Sequence, residues 1–491
     1  MAWLVGDSFD FYATGNDMFT GSAPLWTLGG SAPTFTTGRF PGSQCINSIG
    51  SGSAFSRTTG SNDQTIYVNF AMFAVALSGT HLGGVLLIDG STVQCSVYMS
   101  GTGSLDFYRG TPSGTLLGSY TGAFIASNWT QFQIKFIISS SVGEIHVRKN
   151  GNTVDDFALT GLNTQSSGNA YANVIKVDNS FSGGSGSYHI DDLYCFSGTG
   201  ASPNTWQGDV RAVQQMAASD PVTLLFSKSP AQQILGIQST TSTIAKSANT
   251  IYFQSVTPTY DSTVSKITVN LSSGFTGHLA AAVYATDSGS DALLATATAL
   301  TNPGSGTQDL VFSSPPSVSG GSAFGIAIWA DAAFTLVGNT NAANRTQALT
   351  YTGTFPNPST TIAAVSAGSY WATVVPRSYD LINEATEDGL TTYIFDPNVG
   401  DEDDFGIAPL TTTPTAIVCV QAKMWCQKSD AGSRSGDLYL KSGSGSDNFG
   451  STVLSSTGGF LTLPAPVDPN TSASWNQTGV NALTVGPKVT A

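Results

Sequence analysis

Apolar and polar side chains alternate with period two from one end of the chain to the other. In Gln131-Phe-Gln-Ile-Lys-Phe-Ile137, Ile145-His-Val-Arg-Lys149, Lys266-Ile-Thr-Val-Asn270 and Asp437-Leu-Tyr-Leu-Lys441, apolar residues keep to one parity and polar residues to the other. Successive side chains of a strand point to opposite faces, so each segment predicts a half-buried β-strand. Lys149-Asn-Gly-Asn152 holds the Asn-Gly dipeptide that adopts positive φ at small steric cost. Strands 131–138, 144–149 and 153–158 are therefore expected to form a meander. Helical spacing is confined to two short stretches, 208–217 and Trp475-Asn-Gln-Thr-Gly-Val-Asn-Ala-Leu483, where Trp475, Val480 and Leu483 share a face. The expectation is an all-β chain of tandem antiparallel β-sandwiches or jelly rolls.

Turn-rich punctuation divides this pattern into three regions. The first, 1–205, closes on Tyr188-His-Ile-Asp-Asp-Leu-Tyr-Cys-Phe196, after which Ser197-Gly-Thr-Gly-Ala-Ser-Pro-Asn204 reads as a linker. The second, 230–376, is nearly free of charge and carries its own strand series. The third, 377–491, combines an acidic stretch with the Trp475 segment.

Composition narrows the class of protein. Only 10% of the residues are charged, against 54 glycines, and 18 Lys and Arg face 32 Asp and Glu for a net charge of −14. That charge repels phosphate backbones and anionic lipid, so neither nucleic acid nor membrane is expected as a partner. Five scattered cysteines, Cys45, Cys95, Cys195, Cys419 and Cys426, make neither a disulfide scaffold nor a paired metal knuckle and read as small core residues. The opening Met1-Ala-Trp-Leu-Val-Gly-Asp7 lacks the basic start and long apolar run of a signal peptide. A protein made in a host cytoplasm and displayed on a virion surface reconciles an exterior composition with that start.

The ordered blocks Glu387-Asp-Gly-Leu-Thr-Thr-Tyr393, Val399-Gly-Asp-Glu-Asp403, Thr415-Ala-Ile-Val-Cys-Val-Gln421, Lys428-Ser-Asp-Ala-Gly-Ser-Arg434 and Asp468-Pro-Asn-Thr-Ser-Ala-Ser-Trp475 resemble a β-sandwich domain common in tailed-bacteriophage structural proteins. The first 205 residues are similar to the concanavalin-like jelly roll that precedes it there, through Phe9-Asp-Phe-Tyr12, the Trp129-to-Lys149 run and His189-Ile-Asp-Asp-Leu-Tyr194. The resemblance implies that Trp206-Gln-Gly-Asp-Val-Arg211 begins a discontinuous second domain, 206–229 plus 377–491, with 230–376 inserted. It further implies a virion surface component, a head fibre, decoration protein or tail-associated fibre, held by other virion proteins. A homo-oligomer is expected, because virion attachment sites are symmetric. The jelly roll or the insert would present a surface to host or environmental glycans. A tail depolymerase, which is a carbohydrate-active enzyme, and a purely architectural cement protein are the alternatives.

Candidate chemistry is sparse, and the expected protein is not an enzyme. Gly6-Asp7-Ser8 matches the nucleophile block of one hydrolase class, yet none of the four histidines has an Asp three residues before it to serve as the base. Asp155-Asp156 and Asp191-Asp192 are adjacent pairs, which on a regular strand point apart and cannot flank one glycosidic bond. Asp401, Asp403 and Asp404 lie in an acidic run with no Lys or Arg and supply the hard oxygen ligands calcium takes, with a solvated loop as the competing reading. Trp129, Tyr188, Trp329, Tyr370 and Trp371 are candidates to stack on sugar rings, with core packing as the alternative for each.

Overall fold

The computed structural model describes the chain except for residues 1–2, 21–23, 48–52, 179–187, 201–202, 212, 221–223, 239–241, 287–290, 358–362, 369 and 384–390. Strands dominate it. Among the described residues the one α-helix is the five-residue Gln477–Asn481, capped by the Asn476 side chain accepting from Gly479 N. The described residues of 208–217 form no helix, and the stretch ends in a short strand, Ala217–Ser219. The fold is all-β, built from antiparallel sheets packed as sandwiches.

The chain folds as two compact units. One takes Met1–Leu225, Ala385–Glu387 and Pro397–Ala491, and the other takes Phe226–Glu384 with Asp388–Asp396. The middle unit therefore starts before 230 and reaches past 376. Its first strand, Ser227–Ser229, pairs with Tyr393–Phe395.

In the first unit, two sheets enclose a jelly-roll core. The larger runs Phe157–Leu162, Gly143–Lys149, Trp129–Ile137, Thr65–Ala74, Tyr188–Ser197, Gln44–Asn47, Thr34–Thr37, with Trp3–Asp7 also paired to Tyr188–Ser197. The smaller runs Thr115–Tyr120, Leu105–Arg109, Thr92–Ser100, His81–Asp89, Ala172–Asp178, Ala54–Asp63, Thr27–Leu28. The expected meander is present, turning through Asn150 (φ 51°) and Gly151 (φ 76°), although its third strand begins at Phe157 rather than 153. Even-numbered Phe132, Ile134 and Phe136 enter the core beside Val68, Phe70 and Met72, which leaves the odd-numbered residues of Trp129–Ile137 on the outer face.

The C-terminal part of this unit is a second, smaller sandwich. Ala217–Ser219 pairs with Phe405–Ile407, which joins Thr484–Val489, Ser435–Ser442 and Gly445–Asn448. A two-stranded sheet of Val420–Cys426 and Gly459–Ala465 packs against it, and Trp475, Val480 and Leu483 close its core as one face. This strand pair also reaches the jelly roll, where Phe460 joins the core and meets Tyr12 edge-on at 5.4 Å. The middle unit is a hydrogen-bonded network of 13 strands with two apolar clusters of its own.

Candidate functional site

Three aromatic rings line up across adjacent strands on the outer face of the eight-stranded sheet. Trp129 stands opposite Phe73, and Phe73 opposite His189, which in turn faces Asn47. The strand period places them outside, because their neighbours Met72 and Ile190 are fully buried on the core side and Thr130 nearly so. Phe73 and His189 stack with centroids 5.5 Å apart and 16° between planes, while Phe73 and Trp129 lie 5.6 Å apart at 50°. All three rings and Asn47 are half-buried, so each keeps an accessible face or edge. Exposed Val75 and Ile125 extend the apolar rim at this end of the sheet, beside the Ala74–Ala126 bridge.

The imidazole adds a directional polar group. Among the described residues the buried His189 Nδ1 has no hydrogen-bond partner, and burial lowers the pKa of the ring, which favours its neutral form. A neutral imidazole carries one donor and one acceptor.

The opposite end of the same face is already covered. Trp206 packs edge-on against Tyr67 at 5.2 Å and lies under the Arg148 guanidinium at 4.2 Å. Gly208 O accepts from Gln133 Nε2, and Arg39 holds Asp209 through both guanidinium nitrogens. The segment expected to begin the second domain is thus a strap across the jelly roll. Among the described residues the strap does not extend over the aromatic row.

The other predicted stacking residues fall elsewhere. Tyr188 is 1% exposed and spans the jelly-roll core to Gly83, where any Cβ would lie 2.0 Å from its hydroxyl. Trp329 and Tyr370 are fully buried in the middle unit, Trp329 against Tyr351 and Phe355. These three are core residues, since their strands bury the faces that carry them. Trp371 is half-buried and pairs across the sheet with Thr268 and Gly236. Of the five, Trp129 alone joins an aromatic row on an open face. Phe73 and His189 escaped sequence reasoning because their alignment with Trp129 depends on pairing between distant strands.

The acidic run is matched by lysines from other strands. Lys441 Nζ bonds both Glu402 and Asp404, and Lys488 reaches Glu402 at 3.2 Å. Burial acts to raise the Glu402 pKa, but the hydrogen bonds from Lys441 and Lys488 prevail and hold it below its ordinary value. Asp403, fully buried, accepts from Leu225 N at 2.8 Å, and Asp401 accepts from Asn398 Nδ2 at 3.2 Å. The absence of Lys and Arg from the run itself concealed this pairing. Among the described residues no group of three or more His, Cys, Asp and Glu is arranged to hold a metal ion. The beginning of the run, 384–390, lies outside the described residues.

At Gly6-Asp7-Ser8 the side chains of Asp7 and Ser8 are both engaged in hydrogen bonds. Ser8 hydrogen-bonds the Asp10 carboxyl, while His81, His146 and His278 pair with Tyr108, Glu144 and Asp155, and Asp331. Asp7 is a buried acceptor for Tyr12, Trp26, Phe9 N and Lys423. Asp191 and Asp192 also depart from a regular strand. A bulge with Asp192 at φ 48° turns both carboxylates toward Arg39, its backbone N at 2.7 Å from Asp191 and its guanidinium at 4.0 Å from Asp192.

Compared with protein-family models and with curated proteins, the sequence finds no match. Solved structures similar to part of the chain include a conserved carbohydrate esterase from the Shiga toxin-encoding bacteriophage phi24B, 13% identical over 35% of this chain and 90% of that one, with a TM-score of 0.27. Others are the carbohydrate-binding module CBM66 from Bacillus subtilis (8%, 35% and 96%, 0.24) and arcelin-5, a lectin-like defence protein from Phaseolus vulgaris (12%, 39% and 97%, 0.26). At these identities and scores no activity is carried over.

Proposed function

We propose that the chain is a surface protein of a tailed-phage virion that binds host or environmental glycans through the Trp129–Phe73–His189 row. The observation that carries the binding reading is the row itself: half-buried rings aligned across three adjacent strands on the outer face of one sheet. A pyranose offers C–H bonds on its face and hydroxyls on its rim. The rings meet the first, and His189 and Asn47 meet the second. A net charge of −14 directs the surface toward neutral or cationic sugars and away from polyanions. The virion assignment rests on the phage-like blocks of the last hundred residues, and symmetric attachment to other virion proteins accompanies it.

The reading needs neither a metal ion nor a catalytic pair. Incubation with purified host surface polysaccharide tests it. Saturable binding without new reducing ends is expected, whereas sustained release of reducing ends would make the chain a depolymerase. Binding to particles with no glycan retained would make it an architectural cement protein.

A further inference from the structure

Lys423 and Asp7 are 416 positions apart in sequence, yet Lys423 Nζ lies 2.8 Å from Asp7 Oδ1, with the two side chains 2% and 0% exposed. In every other ion pair among the described residues at least one partner is 13% exposed or more. Two charges wholly removed from water are costly, and their attraction repays desolvation only with excellent geometry. A neutral covalent product would remove that cost.

The surroundings are arranged for such a product. Asp7 Oδ2 accepts from Tyr12 Oη at 2.7 Å and from Trp26 Nε1 at 2.8 Å, so two donors converge on one oxygen while the other faces the amine and accepts from Phe9 N at 3.0 Å. Burial first, then the Asp7 charge, pushes the Tyr12 phenol well above its ordinary pKa, which keeps it a donor. Lys423 Nζ sits 4.9 Å from the Phe11 ring centroid and 4.4 Å from that of Tyr12, so its rotation is confined. A third carboxyl, Asp10, senses both Asp7 and Lys423, and burial raises its pKa so that it holds a proton more readily than an ordinary aspartate.

We propose that Lys423 and Asp7 close spontaneously into an amide between Lys423 Nζ and Asp7 Cγ, a crosslink between the jelly roll and the Val420–Cys426 strand of the C-terminal sandwich. One proton passes from the ammonium directly to Asp7 Oδ1. The freed nitrogen pair attacks Cγ, and Oδ2 takes up the displaced electrons against the Tyr12 and Trp26 donors. A second nitrogen proton moves to Oδ1, which departs as water while the carbonyl to Oδ2 re-forms. One C–N bond forms, one C–O bond breaks, and one water leaves. No oxidant, metal or co-reactant enters. The fixed approach of amine to carboxyl supplies the high effective concentration such a step needs.

Intact mass of the full chain under denaturing conditions decides the matter. The expected result is a protein lighter than its sequence by one water, with a proteolytic digest yielding one branched peptide that joins the Asp7 and Lys423 segments. Lys423→Arg and Asp7→Ala should each return to the full mass of their own sequences, and because the protein is denatured for measurement, a loss of folding in either leaves the reading intact. Wild-type protein at full sequence mass overturns the proposal. So does a water loss that persists in Lys423→Arg, which would point to a cyclised aspartate instead.

Discussion

Asp191 and Glu402 are carboxylates moved in opposite directions by their surroundings. Burial raises the Asp191 pKa to about 6, despite backbone hydrogen bonds from Arg39 and Asp192 that act to lower it. Its folded value lies above the unfolded one, so the folded state gains stability from this residue as pH falls through about 6 toward the unfolded value near 4. We therefore expect the jelly roll of an Asp191→Asn variant to lose the part of its stability that rises between about pH 7 and about pH 5, measured as melting temperature against wild type. An unchanged slope would contradict the burial argument. Glu402 has the opposite sign. Held below its ordinary 4.5 by two lysines, it contributes stability above that value that is lost as pH falls below it. Glu402→Gln should flatten the acid limb of the C-terminal sandwich and leave the Asp191 region of the profile alone. Neither assignment was legible in the sequence, because Arg39, Lys441 and Lys488 reach these carboxylates from distant strands. Trp129 was legible, since the alternation that buries Phe132 and Phe136 sets its face.

Strands were read well wherever alternation is clean, and poorly where backbone irregularity or distant pairing decides the outcome. The Asn150-Gly151 turn and the Trp475–Leu483 face appear as expected, because both rest on local chemistry. The Asp192 bulge and the strap at Trp206–Asp209 were missed, because each depends on a partner strand. The last strand offers a sharper test. Thr484–Val489 pairs on both sides, and a Cβ on Gly486 would lie 1.6 Å from Asp403 O. Gly486→Ala should destabilise the C-terminal sandwich by about 1–3 kcal/mol through overpacking, seen as a lower denaturant midpoint at unchanged slope. A neutral effect would mean that this strand pair does not hold as described.

At the scale of the whole molecule, the first unit is discontinuous in sequence, leaving at Leu225 and resuming for good at Pro397. Leu225 N donates to Asp403 within this unit, so the chain ends flanking the excursion lie near each other. Domains are inserted where such ends meet. Replacing 226–396 by a short Gly/Ser linker should leave a soluble protein with one cooperative unfolding transition and intact glycan binding. Aggregation, or loss of binding with the fold intact, would assign the middle unit a role this account does not give it. The central claim is that the row of Trp129, Phe73 and His189 is the glycan surface. The most direct test is an equilibrium titration of the full chain with the polysaccharide it retains, comparing wild type with Trp129→Ala and Phe73→Ala variants of unchanged melting temperature. Binding weaker by about tenfold is expected in each variant, roughly 1.4 kcal/mol for a lost stacking surface. Wild-type affinity in both variants would contradict it.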